Sequence, residues 1–344
     1  MNCQRGIRIA LIGAESFRGK EIKNVLERKK FPLESIEFFD PDIEEEYSKL
    51  TEFRGEPRVV LPVDKIILED SDCVFLASDK KTNREYGNLA AKEKFLAIDL
   101  NETFNSDRSV PLVVGGINHK TVLKKKPSLI ANPHPVTIIL AHFLSVICEK
   151  FQPLRIVSFV LQPASAYDEL GIEEQAGQSF AVLSSSAVSK KTFKTQIAFN
   201  LLPDIAPVDK NGFSSIEKQI FSEVERVLGN RDLPLSLAII QVPVFHTYSI
   251  LFHLELKEQT NIPTLTDLYK KSSYFKVPPP STSRPVSSLL IAGKDEIFVG
   301  RIKKEDTTPN SFWIWTVTDN LTRGSALNAF EILENSDLIS ILKR

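Results

Sequence analysis

In the first third of the chain, short apolar runs alternate with helical patterns, and this alternation restricts the fold more than any other feature of the sequence. Ile7–Gly13 is predicted to be a buried strand and Phe17–Lys29 a helix with one apolar face. Strands that are apolar throughout and separated by helices indicate a parallel sheet covered on both faces. We therefore expect a doubly wound α/β domain over residues 1–133. Its other predicted elements are strands at Ile36–Asp40, Asp72–Ser78, Phe95–Leu100, Leu112–Gly115 and Ser128–Ala131, and a helix at Asn83–Lys92.

The strands become longer after a predicted apolar helix at Pro135–Glu149. Long neighbouring strands favour a mixed or antiparallel sheet with helices such as Ser215–Leu228 on one face. We expect a second, α+β domain over residues 134–319, and a C-terminal helical segment, 320–344, that returns to the first domain. The predicted elements are strands at Arg155–Gln162, Leu235–Val244, Tyr248–Lys257, Glu296–Ile302 and Phe312–Thr318, an exposed loop at Lys276–Ser288, and a closing helix at Arg323–Leu333.

The composition excludes several classes of protein. Hydrophobic residues make up 42% of the chain and charged residues 25%, which excludes intrinsic disorder. A net charge of −1 gives no support to nucleic-acid or membrane-surface binding. The longest apolar run, Val136–Cys148, is too short to span a bilayer, and the start of the chain lacks a signal-peptide pattern. Three cysteines cannot form a disulfide framework, so we expect a cytoplasmic protein.

The turn Gly13–Gly19 between the first strand and the first helix has an incomplete nucleotide-binding pattern. Gly13 and Gly19 are present, but Ser16 replaces the middle glycine, and Glu15 places a carboxylate near the position of a phosphate. Like charges about 4 Å apart repel by about 1 kcal/mol even in water. The alternative that we favour is a tight turn in which Glu15 or Ser16 caps the helix. No cofactor is therefore predicted to be required, although NAD or NADP remains possible.

Asp40 follows the second predicted strand and is open to two interpretations. Its position suits a hydrogen bond to a ribose hydroxyl and would disfavour a 2′-phosphate, so that NAD would be preferred to NADP. Equally, an aspartate before Pro41 is a common turn residue.

Six segments of the chain form a recognisable series. They are FPLESIEFFD (31–40), VPLVVGGIN (110–118), LIANPHPVTI (129–138), TQIAFNLLPDI (195–205), VPVF (242–245) and TVTDNLTRGSALNAFEI (316–332). In this order, and over essentially the whole chain, they resemble the aspartate-β-semialdehyde dehydrogenase family. The resemblance implies a Rossmann-like NAD(P)-binding domain and a mixed-sheet catalytic and dimerisation domain. It also implies NADPH-dependent reduction of aspartyl phosphate through a cysteine thiohemiacetal and thioester, with a histidine as acid and base.

Carried over residue by residue, the resemblance places altered residues at the catalytic positions. Pro135 stands where the family has its nucleophilic cysteine, Gln241 where it has the substrate-carboxylate arginine, and Tyr248 where it has the general base. Glutamine lacks the charged fork that binds a carboxylate, and tyrosine is a poor base at neutral pH. Cys148 lies about 20 Å along the predicted helix from Pro135 and cannot replace the nucleophile. We expect Cys148 and Cys73 to be core residues.

At the other positions that the resemblance implies, some residues differ from the family and some match it. Asn105 replaces a phosphate-binding arginine, and Gln219, with Ile216, corresponds to substrate-contacting positions. Gln162 matches the family, as does Ser165. Asn320 matches the asparagine that faces the nicotinamide. The alternative interpretation of its segment is that it only starts and packs the last helix. The chain looks most like the Usg-type paralogues, which keep the dehydrogenase fold, on Ala176-Gly177-Gln178-Ser179 and Phe312-Trp313.

The 14 glycines of the chain, about 4% against an average of about 7%, agree with this pattern of replacement. The family has glycine at the positions of Ser16 and Thr247, and around Ala166-Tyr167-Asp168. Glycine at such positions lets the backbone approach a ligand.

The resemblance leads to two hypotheses. The first is a homodimer that has lost this catalysis and binds a protein partner or a small ligand. The second is an NAD(P)-dependent oxidoreductase for another aldehyde or acyl phosphate, with a rebuilt site. His134 and His246 lie next in sequence to the altered positions and could form that site with Tyr248. We favour the interpretation that they are two satisfied, partly buried histidines, and no metal is predicted.

Overall fold

The alternating apolar segments form one sheet. The computed structural model describes residues 6–43, 49–63, 68, 70–203, 206–230, 232–279 and 285–338. The chain divides into two compact units, Met1–His134 with Ser325–Arg344, and Pro135–Gly324. The first unit contains a seven-stranded sheet in the order β3-β4-β2-β1-β5-β6-β7. Its strands are β1 (Ile7–Ile12), β2 (Leu33–Phe39), β3 (Lys49–Phe53), β4 (Glu56–Leu61), β5 (Cys73–Leu76), β6 (Leu96–Asp99) and β7 (Leu129–Ala131).

Every neighbouring pair in this sheet is parallel except β3 and β4, which form an antiparallel hairpin at one edge. The predicted doubly wound α/β fold is therefore confirmed, and the hairpin was not anticipated. The core of the unit consists of the strands together with the apolar face of α1 and the C-terminal helix. The helices are α1 (Phe17–Arg28), α2 (Lys80–Gly87), α3 (Ala90–Glu93), α4 (His119–Leu123) and α10 (Leu327–Glu334).

The second unit contains a mixed six-stranded sheet in the order β11-β12-β13-β10-β8-β9, which confirms the predicted α+β class. The β8–β9 and β11–β12 pairs are parallel, and the others are antiparallel. The strands are β8 (Pro153–Gln162), β9 (Leu235–Gln241), β10 (Tyr248–Leu256), β11 (Phe275–Lys276), β12 (Ile297–Lys304) and β13 (Ser311–Thr318). The helices are α5 (Pro135–Cys148), α6 (Asp168–Leu183), α7 (Ser215–Leu228), α8 (Ile262–Lys271) and α9 (Ser288–Ile291), with a 3₁₀ turn at Ala164–Tyr167.

Two elements of the first unit differ from the predictions. Leu112–Gly115 is not a strand, since only Leu112 makes a bridge, to Ala131. The side chain of Asn118 accepts from the Val114 N–H and donates to the Leu112 carbonyl. These two hydrogen bonds take the place of those that a neighbouring strand would make. The helix predicted at Asn83–Lys92 is two helices, and the first begins earlier because Asp79 caps it by accepting from Lys81 N and Thr82 N.

Two further predicted boundaries were wrong. β9 ends at Gln241 rather than Val244, because Pro243 has no N–H to donate to a neighbouring strand. The closing helix is preceded by a π-helical turn at Thr322–Ala326 and begins only at Leu327. Of the predicted loop Lys276–Ser288, residues 280–284 lie outside the described part of the chain.

Candidate functional site

Two altered positions, Gln241 and Tyr248, meet the retained Gln162 at one end of the second sheet. Gln162 is the last residue of β8, Gln241 is the last residue of the parallel strand β9, and the two are paired in register. Tyr248 begins β10, which runs antiparallel to β8 and so starts where β8 ends. Strand direction and register therefore bring together three side chains that are 79 and 86 residues apart in sequence.

These side chains form a buried chain of hydrogen bonds. The Tyr248 hydroxyl donates to Gln162 Oε1 over 3.2 Å, and Gln162 Nε2 donates to Gln241 Oε1 over 2.9 Å. Each of the three residues is at most 2% exposed. Tyr167 also hydrogen bonds to Gln162, and burial raises the pKa of Tyr167 despite that bond. The network consists of neutral amides and phenols bound to one another, and it contains no nucleophile and no fixed charge.

Ser165 and Asn320 form a second polar contact in the same unit. Ser165 Oγ donates to Asn320 Oδ1 over 3.1 Å, and the backbone N–H of Thr247 donates to the same oxygen over 3.2 Å. The preceding residue, Asp319, accepts from the N–H groups of Leu321 and Thr322 and so holds the segment in place. One amide oxygen thus binds a side-chain hydroxyl and a backbone N–H from distant parts of the sequence.

Thr247 and Asp168 have a backbone conformation that glycine adopts more readily than other residues. Their φ angles are +75° and +53°, in the left-handed region. The hydroxyl of Thr247 is buried and has no hydrogen-bond partner among the described residues. This backbone agrees with the glycines that the family resemblance implies at and around these positions.

Pro135 is the first residue of α5 and is fully buried. A proline at this position starts the helix well, because its missing N–H would have no partner inside the helix. A side chain added at Gly324 would come within 2.9 Å of Pro135 Cβ, so the space beside the proline is filled. The position offers neither a thiol nor a hydroxyl for chemistry.

The two described cysteines lie in different environments. Cys73 is buried in β5, as predicted, and burial raises the pKa of its thiol. The prediction that Cys148 is a core residue was wrong. Cys148 is exposed because it is the last residue of α5, where the helix leaves the core.

Gln219 is bound within its own helix. Its Nε2 donates to Glu223 Oε1 over 2.8 Å, and Thr137 Oγ1 donates to the other oxygen of that carboxylate over 2.7 Å. Glu223 is 1% exposed and was not recognised from the sequence. In the sequence, Glu223 is a charged residue among the apolar positions of α7. It looks like an ordinary surface residue there, so the sequence gives little indication that it is buried. Ile216, beside Gln219, packs at the edge of the core.

In the first unit, Ser16 caps α1, because its hydroxyl accepts from the Gly19 N–H. Both glycines of the turn are required by packing. A side chain at Gly13, where φ is +83°, would meet the Ala77 backbone at 2.6 Å, and one at Gly19 would overlap the Gly13 carbonyl. Close backbone contacts within the chain therefore explain both glycines, and no bound ligand is needed to account for them.

Glu15 is engaged by a buried lysine of the following helix. Lys23 Nζ donates to Glu15 Oε1 over 3.2 Å and also to Thr51 Oγ1 of β3. The side chain of Lys23 is 7% exposed. Burial opposes ionisation of Glu15, but the hydrogen bond to Thr51 and the charge of Lys23 outweigh it and lower the pKa of this carboxyl. Glu15, Lys23 and Thr51 therefore form one polar cluster immediately beside the turn.

The remaining candidate residues are distributed over both units. Asp40 accepts from the Asp42 N–H over 3.3 Å, as a turn residue does, and burial raises its pKa. Asn105 is buried in the first unit. His134 is buried in the first unit and His246 is half-buried in the second, so the site that would combine them stays a prediction. Among the described residues, no group of three or more His, Cys, Asp or Glu side chains is placed to hold a metal ion.

Two family models match the chain, each over one of its parts. A semialdehyde dehydrogenase NAD-binding domain matches residues 8–125, and a semialdehyde dehydrogenase dimerisation domain matches residues 144–323. The chain belongs to the semialdehyde dehydrogenase family. Its resemblance to the aspartate-semialdehyde dehydrogenases is thereby confirmed at the level of the family.

Members of this family are similar to the chain over nearly its whole length. The aspartate-semialdehyde dehydrogenase of Aquifex aeolicus is 28% identical over 336 residues, which are 96% of this chain and 97% of that protein. The protein of the same name from Rickettsia conorii is 26% identical over 328 residues, 95% of this chain and 96% of that protein.

Solved structures of the family have the same fold. Aspartate semialdehyde dehydrogenase II of Vibrio cholerae, complexed with ASA, has a TM-score of 0.89 at 24% identity and covers 96% of this chain and 98% of its own. A probable aspartate-semialdehyde dehydrogenase of Pseudomonas aeruginosa has a TM-score of 0.88 at 25% identity, with the same coverage. The semialdehyde dehydrogenase fold is therefore complete in this chain.

Proposed function

We propose that this member of the semialdehyde dehydrogenase family does not catalyse phosphate-dependent semialdehyde chemistry and is retained as a binding protein. The observation that carries the proposal is the buried chain formed by Tyr248, Gln162 and Gln241. At these positions the family resemblance implies a general base and a substrate-binding arginine. Here the same positions carry neutral side chains that are bound to one another.

The chemistry of the residues supports this proposal. A thiohemiacetal requires a cysteine at a helix start, and Pro135 stands there. The Tyr248 hydroxyl donates a hydrogen bond to Gln162, and Gln241 has no charge to attract a carboxylate. Three steps of the family's reaction would therefore lack their residues.

The part of the proposal that concerns nucleotides rests on the turn before α1. The Ser16 hydroxyl accepts from the Gly19 N–H, so this N–H at the start of the helix is already bound where a dinucleotide would place its pyrophosphate. Asp40 adds repulsion against a 2′-phosphate. We expect no tight binding of NAD or NADP.

The binding role that we propose is that of a cytoplasmic homodimer, with or without a further protein partner. The match to a dimerisation domain supports self-association. Several large apolar side chains of the second unit, among them Leu170, Phe180 and Leu183, are more than 60% exposed. Free cysteines at Cys73 and Cys148 fit a reducing compartment. None of the helices that the structure describes has the length and apolarity of a bilayer span.

The test is turnover of aspartate semialdehyde with phosphate and either nucleotide, with the Vibrio cholerae enzyme as positive control. We expect a rate below the control by a factor of about 10⁴ or more, because nucleophile and base are both absent. Activity that is abolished by Tyr248→Phe would contradict the proposal and favour the alternative oxidoreductase. The same assay with other aldehydes tests whether a rebuilt site uses His134 or His246.

A further inference from the structure

The second unit contains a cavity of about 800 Å³ that includes none of the altered catalytic positions. Its walls come from α8, from strands β10, β12 and β13, and from the described ends of the proline-rich segment that was predicted to be an exposed loop. The apolar part of the lining includes Leu251, Ile262, Val277, Val286 and Trp315. A cavity of this size with a mainly apolar lining is typical of sites for small organic ligands.

The indole of Trp315 forms one wall of the cavity and is held in place. Its Nε1 donates to the carbonyl of Val286 over 2.9 Å. A side chain at Gly300 would come within 2.8 Å of Trp315 Cδ1 and 3.2 Å of Val286 Cβ, so the ring can lie against the strand only because this residue is glycine. The wall is therefore formed in the absence of a ligand, which lowers the entropic cost of binding one.

A bulge in β12 directs Arg301 toward the same cavity. The register of β12 on β13 shifts between Val299 and Ile302. Gly300 and Arg301 therefore oppose Trp315 alone. Adjacent residues of a regular strand point to opposite faces of the sheet, whereas a bulge re-aims one of them. As a result Arg301 lines the cavity together with Trp315.

Helix α8 supplies a second cation. Ile262, Thr266 and Lys270 are spaced by four residues, so they lie along one face of the helix, and all three line the cavity. On another face of the helix, Leu265 and Tyr269 are fully buried in the core. The packing of that face thus fixes the position of Lys270 at the cavity.

These two cations have no counter-charge in the described structure. No Asp or Glu is among the described residues that line the cavity, and the side chains of Lys270 and Arg301 make no hydrogen bond or ion pair with any other described residue. Glu305, which follows β12, is engaged elsewhere, by His253 over 2.8 Å and by Thr307. An apolar cavity with two unpaired cations and no carboxylate is complementary to an anion that has an apolar tail.

We propose that this cavity binds an amphipathic anion, with the acidic head bound by Lys270 and Arg301 and the apolar tail packed along Trp315. The head is a carboxylate or a phosphate monoester, because the planar guanidinium of arginine forms paired hydrogen bonds with either group. The residues that carry the proposal all belong to one chain, and none of them is an altered catalytic position. The site therefore goes beyond the loss of catalysis and does not depend on it.

Tryptophan fluorescence in a Trp313→Phe background tests the proposal, because Trp315 is then the only tryptophan of the chain. Decanoate and decyl phosphate, each below its critical micelle concentration, should change the emission of Trp315 saturably, and the tighter of the two identifies the head. Decanol has the same tail without a charge and should bind at least about 10-fold more weakly than the tighter anion. Binding of decanol as tight as that of both anions would overturn the proposal, as would an emission that none of the three changes.

Charge reversal tests the two cations. Lys270→Glu with Arg301→Glu should weaken binding of the tighter anion at least about 10-fold and leave the binding of decanol unchanged. Lys271→Glu with Lys304→Glu is the matched control, since it makes the same change of charge on the same helix and strand outside the lining of the cavity. This control should bind the anion as the parent does. Equal weakening in both double variants would indicate a general effect of charge and contradict the proposed site.

Filling the cavity tests the position of the tail. Thr266→Phe adds bulk from α8 and should abolish the binding of the anions and of decanol alike, while an unchanged thermal melting midpoint checks that the variant folds. Unchanged binding in this folded variant would exclude the cavity as the site. Sedimentation of the parent with phosphatidylglycerol vesicles, but not with neutral phosphatidylcholine vesicles, would assign the two cations to a membrane surface and likewise overturn the proposal.

Discussion

At position 247 a threonine has the backbone conformation that ordinarily belongs to glycine. A β-branched residue at φ +75° is strained, and its buried hydroxyl has no partner in the described structure. We expect Thr247→Gly to raise the free energy of unfolding by about 1 kcal/mol, although glycine usually lowers it. Urea unfolding at constant m-value measures the change. Thr247→Ala removes the hydroxyl but keeps the strain, and if it stabilises as much as glycine, strain is not the cause.

The buried histidine of α5 provides the second prediction at this scale. His142 stacks on Tyr274 with ring centroids 4.1 Å apart, and burial, with the nearby charge of Arg323, lowers its pKa well below the usual value. The unfolded chain therefore binds a proton that the folded chain does not. The free energy of unfolding should fall as the pH drops below about 6.5. In His142→Phe, which keeps the stacking, unfolding midpoints at pH 7.5 and pH 5 should differ less than in the wild type; an equal difference would contradict the assignment.

At the scale of elements, the turn and first helix depend on one ion pair. We expect Glu15→Ala to lower the free energy of unfolding by about 3 kcal/mol, because it leaves the buried Lys23 ammonium without its carboxylate. Glu21→Ala removes a more exposed pair, with Arg28, and should cost at most about 0.5 kcal/mol. Adding Lys23→Met to Glu15→Ala should recover part of the loss in urea unfolding. No recovery would mean that Lys23 is stabilised by its other contacts.

The individual strands and helices also show how much of the structure could be predicted from the sequence. Most strands of both sheets were predictable, because their apolar runs are continuous and bounded by turn residues, whereas β3, β4 and β11 were not predicted. Helix α6 was not, since most of its buried residues are polar while Leu170, Phe180 and Leu183 are exposed. The Tyr248–Gln162–Gln241 chain was also beyond prediction, although all three residues had been singled out. Their contact depends on the register of strands that are far apart in sequence.

For the whole molecule, introducing the family's catalytic residue types should not give this chain the family's activity. In the triple variant Pro135→Cys, Gln241→Arg, Tyr248→His, we expect at most weak turnover of aspartate semialdehyde. Arginine at position 241 would be buried where glutamine is 1% exposed, and Asn105 and the Glu15 turn would remain unchanged. Circular dichroism of the variant separates misfolding from inactivity. A rate approaching that of the Vibrio cholerae enzyme would mean that the nucleotide and phosphate sites are intact.

The buried chain at the end of the second sheet has a consequence for evolution. Gln162 Nε2 needs the acceptor that Gln241 supplies, so Gln241→Arg alone leaves a buried donor without its partner, because a guanidinium has no acceptor. A lineage that had exchanged the residues at positions 241 and 248 would pass through a less stable intermediate if it reverted them one at a time. Under the proposed function, this cost hinders a return to catalysis, while selection can still act on the surface of the protein.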